Sequence, residues 1–265
     1  MTFLKRWGSH LKTFYQLLRA DFAVLKSDFL GDLIDGGVWV VCDMTFCAYV
    51  MPIIGVPSWY GFFIAAGIIS SLGLFDCYNV ISDLVADYEG SRVVLFPLVL
   101  PLPAWMVFFK LALVRALRTL AIGFLLMPLV FIILVPKNIN FVPSIPKFFL
   151  ASILNVLLAG MFGVWASSLP KNSATVGRVT TRILLPLWVF GGLWASWKTF
   201  NTALPYLAKL LLLNPFLHGS EVLRVSVMGQ RDFLPYWWSM LALAAFISIL
   251  GVWGVKRLKK RLDFV

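Results

Sequence analysis

Apolar positions along this chain follow two patterns. In residues 4–33, Leu4, Trp7, Leu11, Phe14, Leu18, Phe22, Leu25, Phe29 and Leu33 recur at steps of three and four, while Lys5, Lys12, Arg19 and Lys26 lie off that stripe. This is one face of an amphipathic helix. Over residues 1–35 it reads as a helix lying on the cytoplasmic leaflet; the heptad-like spacing also suits a coiled-coil arm. Asp28, Asp32 and Asp35, with three glycines among residues 27–37, predict a bend after it. The pattern then changes to long apolar runs at 36–54, 58–80, 111–135, 148–169, 183–201 and 237–255. Each meets or approaches the ~20 residues a helix needs to cross ~30 Å of hydrocarbon. The expected fold is therefore all-α and polytopic: one transmembrane domain over residues 1–265, with a six-span core at 36–255 and a basic cytoplasmic tail at 256–265.

The interruptions carry the polar chemistry. Residues 81–92, ISDLVADYEGSR, place Asp83 and Asp87 four apart on one helical face. Gly90 ends that helix, and Pro97, Pro101 and Pro103 forbid a continuous helix before the third span. A short helix is thus presented to the cytoplasm. Residues 204–213 are almost wholly apolar until Asn214 and Pro215 interrupt them. Asn is a good N-cap and Pro suits a first helical turn, so a second helix should run from Pro215 to Met228 and stop at Gly229. Neither piece is long enough to span. Together, residues 202–229 describe a re-entrant hairpin on the outer side, tolerated at membrane depth only where protein or a water-filled cavity surrounds it. His218, Glu221 and Arg224 recur every three residues. They either look onto an exit path, or Glu221 and Arg224 form a structural ion pair that anchors the hairpin.

Composition strengthens the membrane reading. The chain is 60% hydrophobic and 13% charged, with a mean hydropathy of +0.88, against ~45–50% apolar and ~25% charged in soluble domains. With both termini inside, most of the 23 Lys and Arg fall in cytoplasmic segments, leaving Lys137, Lys147, Lys198, Lys209, Arg224 and Arg231 outside. Topology and anionic lipid then account for the net charge of +11 without nucleic acid. The amino-terminal pattern is not that of a cleaved signal peptide. Cys42, Cys47 and Cys77 lie in predicted spans with no CxxC spacing and read as packing residues, with no metal site expected.

Some polar residues fall inside the spans. A carboxylate at mid-membrane costs about 2.5–3.5 kcal/mol, so Asp43 is expected to face a cavity or partner; Asp76, beside Asn79, is near enough to the cytoplasmic end to be solvated. Arg115 and Arg118 share a face of the third span and could meet lipid phosphate or an anionic substrate head, or snorkel to the headgroups. Trp194, Trp197, Tyr206, Tyr236, Trp237 and Trp238 gather toward the predicted outer surface. They form an aromatic belt or, for Trp194 and Trp197, a stacking face for sugar rings.

The spacing of Asn214-Pro215, His218, Glu221 and Arg224, followed by Val227, Met228 and Gly229, resembles the segment before the last span in permeases of type-2 ABC exporters. Bacterial capsule and O-antigen (lipopolysaccharide) polysaccharide export permeases are the most similar in length and in this NPxxHxxExxR pattern. The resemblance implies a homodimer in the bacterial cytoplasmic (inner) membrane, with a channel between the two copies and a separate ATPase subunit that binds ATP and Mg. It also implies that the loop after the second span, with Asp83, Asp87, Glu89 and Arg92, couples to that ATPase, and that Asp43, Trp194, Trp197, His218, Glu221 and Arg224 lie along the substrate pathway. Glu89 to Ser91 is similar to the acid-Gly-Thr of drug and lipid exporters in the same class, and the acidic, Gly-rich segment before the first span departs from the basic one usual in glycan permeases. The chain has no GxxxxGK[ST] phosphate loop, HExxH or GxSxG, so it binds no nucleotide in the usual manner and is not expected to be an enzyme. A small-amphiphile exporter, or an ATPase-independent membrane enzyme or scaffold, remains an alternative.

Overall fold

The structure is a computed structural model that describes residues 2–90, 93, 96–134 and 144–262. Among the described residues every regular element is helical. Five helices are long and apolar enough to cross a membrane: Asp28–Ile53, Tyr60–Glu89, Ala104–Leu134, Ile145–Ala166 and Tyr236–Arg261.

The first of these is the far half of α1 (Thr2–Thr45), continued by a π-helical turn at Phe46–Val50 and by α2 (Met51–Ile53). The expected bend between an interfacial helix and the first span is absent, because helix runs unbroken through Gly31, Gly36 and Gly37. A glycine costs a helix interior only ~1 kcal/mol, and here Gly36 fits closely against the next-but-one span. A Cβ at Gly36 would stand 3.2 Å from Leu126 Cδ1. That span is α5 (Ala104–Leu134), which α1 follows along its length. Asp21 pairs with Lys110 at 2.6 Å, and Asp32 pairs with Arg118. The apolar stripe is partly used by this packing: Phe14 and Leu17 lie on Leu102, Met106 and Val107, while Leu11 stays exposed.

α3 (Tyr60–Glu89) is one helix, so the short inner helix expected at 81–92 is its last three turns, and it stops where Gly90 was expected to stop it. Thirty residues at 1.5 Å each make about 45 Å, more than the ~30 Å of hydrocarbon. The prolines also act as expected: α4 (Phe96–Val99) is a single turn and α5 begins only after Pro103. α6 (Ile145–Ala166) is central, packed against α3, α5 and α12 (Tyr236–Leu262). Small residues bring these backbones together, as is usual where lipid removes the hydrophobic drive for helix association. Gly73 faces Ala159, and Gly160 lies against the Ala112 carbonyl. Cys47 and Cys77 are buried packing residues, while Cys42 is exposed.

The run at 183–201 is not one helix. α7 (Val176–Val179), a π-helical turn at Thr180–Leu184 and α8 (Leu185–Val189) follow a 3-10 turn at Ser173–Thr175, and helix then ends. Residues 190–196 are irregular, with Gly192 at φ +82°. α9 (Trp197–Ala203) and α10 (Pro205–Leu211) turn back, and α11 (Pro215–Met228) leads to α12. The paired Gly191-Gly192 explains the break, since the left-handed conformation at 192 is one only glycine adopts without strain.

Contacts define the two ends of the bundle. Ser144 bonds Ser226, the Tyr236 hydroxyl bonds Lys147, and Gly61 abuts Leu134, which gathers the starts of α3, α6 and α12 at one end. Glu89, Ser173 and Arg261 meet at the other.

Candidate functional site

α11 is polar by sequence, yet every residue in it except Met228 is buried. Its beginning follows the expected logic: Asn214 Oδ1 accepts from the Phe216 N–H at 3.1 Å, with Pro215 in the first turn, and Gly229 at φ +82° ends it. Gly219 lets the helix sit against α6, since a Cβ there would strike the side-chain oxygen of Asn155. Asn155 is itself held by the Ser70 carbonyl at 2.9 Å.

The polar side chains serve the broken fifth segment. Asn214 Nδ2 donates to the Leu187 carbonyl at 3.0 Å, near the end of α8. Ser220 Oγ donates to the Gly191 carbonyl at 2.7 Å, and Arg224 Nη2 to the Leu193 carbonyl at 2.9 Å. From α3, the Tyr60 hydroxyl donates to the Trp194 carbonyl at 2.9 Å. The carbonyls that unwinding frees are thus taken up one after another by side chains of α11 and α3. Each would otherwise cost about 1–3 kcal/mol as a buried unsatisfied group.

Glu221 holds the two flanking connections. One oxygen accepts the Trp197 N–H at 3.0 Å at the start of α9, and the other accepts the Leu234 N–H at 2.8 Å ahead of α12. Arg224 Nη1 lies 3.6 Å from Glu221, and both side chains are fully buried. The guanidinium lies flat over the Phe63 ring, 3.6 Å from its centre, and Nε donates to the Phe63 carbonyl at 3.3 Å. Gly67 makes room for this group, since a Cβ there would lie 3.0 Å from both Arg224 Nη2 and the Leu193 carbonyl.

The expected trio therefore divides. Steps of three residues rotate a helical side chain by about 60°, so His218 and Arg224 are about 120° apart. His218 turns to α12, donating from Nε2 to the Leu212 carbonyl at 3.0 Å and lying 3.3 Å from Ser239 Oγ through Nδ1. Glu221 and Arg224 alone form a pair, and the geometry is that of the structural anchor. None of the three lies on an open face.

No family model matches this chain, and no curated protein matches it.

Trp194 and Trp197 enter the site through their backbones. Trp197 also donates from Nε1 to the Ala208 carbonyl at 2.9 Å, tying α9 to α10. Of the remaining aromatic residues, Tyr206, Trp237 and Trp238 are exposed, as a belt requires, and Tyr236 is buried. Asp43 is half-buried just before the π-helical turn, with no hydrogen bond or ion pair among the described residues.

The other end of α3 holds a second cluster. Asp83 pairs with Arg115 at 2.6 Å, and Asp76 accepts from the Thr119 hydroxyl at 3.2 Å, with Arg115 Nη1 at 3.9 Å. Asp87 accepts the Val93 N–H at 2.8 Å. Glu89 accepts both the N–H and the hydroxyl of Ser173, joining the end of α3 to the start of the broken segment. Arg92 lies outside the described residues. Arg115 turns to α3 and Arg118 to Asp32 of α1, so these arginines do not share one face.

The clasp around residues 190–196 was hidden in the sequence because its acceptors are backbone carbonyls, which any residue type supplies. Its traces were Gly191-Gly192 inside an apolar run and Ser220 between His218 and Glu221.

Proposed function

We propose that this chain is the membrane-spanning permease subunit of an ATP-driven type-2 ABC exporter that moves a lipid-linked polysaccharide or glycolipid outward across a bacterial cytoplasmic membrane. The observation that carries the reading is the clasp: the NPxxHxxExxR helix, set before the last span, holds a broken fifth crossing at depth. Irregular backbone is tolerated there only when protein surrounds it. On this reading the hairpin of α10 and α11 is re-entrant and the fifth crossing is the sixth span of the count.

The end of α3 with Asp83, Asp87 and Glu89 meets the ATPase, both termini are cytoplasmic, and the basic residues Lys171, Arg178, Lys256, Arg257, Lys259 and Lys260 near that end obey the positive-inside rule. A push on α3 passes through the Glu89–Ser173 contact into the segment that ends in the clasp. A second copy completes the channel. The Glu89-Gly90-Ser91 stretch favours a second reading in which the cargo is a drug, lipid or other small amphiphile.

The test is purification from native membranes in mild detergent with mass spectrometry of the accompanying proteins and lipids. A stoichiometric ATPase supports the reading, and a glycolipid or a small amphiphile selects the cargo. A chain recovered alone, without a nucleotide-binding partner, overturns it.

A further inference from the structure

Between α1, α3 and α5 lies an open cleft of about 260 Å³ whose lining includes Asp32, Asp35, Trp39, Phe75, Asp76 and Arg118. Its charges do not close. Asp32 is spent on Arg118. Asp76 has the Thr119 hydroxyl and a distant Arg115, whose closer contact is with Asp83. Asp35 meets no donor and no cation among the described residues. Opposite, Arg118 is 7% exposed and its Nε has no acceptor among the described residues. The cleft thus holds an unspent guanidinium N–H and at least one unspent carboxylate.

The walls add a second kind of complementarity. Trp39 meets Phe75 edge-on with ring centres 4.6 Å apart, and Phe75 meets Trp188 at 5.6 Å, so aromatic surface borders the carboxylates. Such surface attracts an ammonium group. The described residues contain no group of three or more His, Cys, Asp or Glu side chains arranged to hold a metal ion.

Depth narrows the ligand further. At ~1.5 Å per residue, Asp76 lies roughly 24 Å from the Tyr60 end of α3, Arg118 roughly 24 Å from the Leu134 end of α5, and Asp35 roughly 27 Å from Ile53. Across ~30 Å of hydrocarbon, the cleft stands at the headgroup level of the leaflet on the Glu89 side.

We propose that this cleft binds the zwitterionic headgroup of an aminophospholipid, with a phosphate oxygen on Arg118 and the ammonium on Asp35 and Asp76 beside Trp39 and Phe75. The excess of carboxylates over guanidinium disfavours a purely anionic headgroup. The proposal stands apart from the exporter reading, which fails or survives on the ATPase alone.

The test is native mass spectrometry of the delipidated full-length chain in mild detergent, titrated with phosphatidylethanolamine or phosphatidylglycerol of equal chain length. The expected result is one phosphatidylethanolamine retained per chain in preference to phosphatidylglycerol. Asp35→Asn, which costs no internal partner, lowers that retention about tenfold, the loss of one charge-assisted contact, and leaves phosphatidylglycerol unchanged. If Asp35→Asn does not elute as the parent does, Arg118→Lys is the second variant, since it keeps a cation for Asp32 but removes Nε. Equal retention of the two lipids, or retention unchanged in the variant, overturns the proposal. Soluble glycerophosphoethanolamine competing as well as the lipid overturns its assignment to the bilayer.

Discussion

Replacing Arg224 with Met tests the clasp most directly. The change removes a donor from the Leu193 carbonyl and another from the Phe63 carbonyl, and it leaves Glu221 fully buried beside no cation. Breaking a buried pair from one side costs about 3–5 kcal/mol, because the remaining charge is uncompensated. Glu221 keeps two backbone N–H donors, from Trp197 and Leu234, which holds the cost toward the lower part of that range. Met fills much of the vacated volume, so the cavity contribution is small. At about 2–4 °C per kcal/mol for a chain of this size, the expected fall in Tm is roughly 10 °C. The assay is thermal unfolding in detergent followed by intrinsic fluorescence, to which Trp188, Trp194 and Trp197 beside the clasp contribute. The double variant Arg224→Met with Glu221→Gln should recover part of the loss, since no charge is then stranded. A Tm within 2 °C of the parent, or a double variant less stable than Arg224→Met, would refute the reasoning. Folded protein with export selectively lost would return Arg224 to the substrate pathway.

Gly219→Ala should destabilise by about 1–3 kcal/mol through overpacking against Asn155, and Asn155→Ser should relieve part of that in the same unfolding assay; additive losses would rule out the contact. Tyr60→Phe removes one neutral hydrogen bond to the Trp194 carbonyl and should cost about 1 kcal/mol, with faster modification of a cysteine placed at Ala195 as the local readout; unchanged labelling would show that the bond does not hold the segment. Charge reversal at Asp87 and Glu89 should weaken capture of the ATPase while leaving insertion and Tm unchanged, and full transport in that variant would remove both from the coupling role.

Much of the architecture was legible because it depends on local chemistry. Asn214, Pro215 and Gly229 mark the limits of α11, as caps do. Gly90 and Pro103 mark the end of α3 and the start of α5. Two expectations failed for one reason, that glycine is ambiguous. Gly36 looked like part of a bend but serves close packing on Leu126, whereas Gly191-Gly192 lay unremarked in an apolar run and ends a helix. Periodicity also overstated the trio His218, Glu221 and Arg224, because steps of three drift around a helix and only neighbouring members meet. The ion pairs of Asp21 and Asp32 with Lys110 and Arg118 were out of reach, since nothing in a single sequence reveals that α1 runs along α5.

Those pairs have a consequence for how the chain is made. Asp32 leaves the ribosome well before Arg118, and at ~5–20 residues per second the interval is on the order of 10 s. During that time the carboxylates of α1 have no cation, and its amino-terminal half has no α5 to lie on. The first span must therefore be sheltered, at the insertion machinery or in the interface, until the third has been synthesised. Birth order and docking order differ in this protein, and truncations ending before residue 110 should leave α1 exposed to proteolysis.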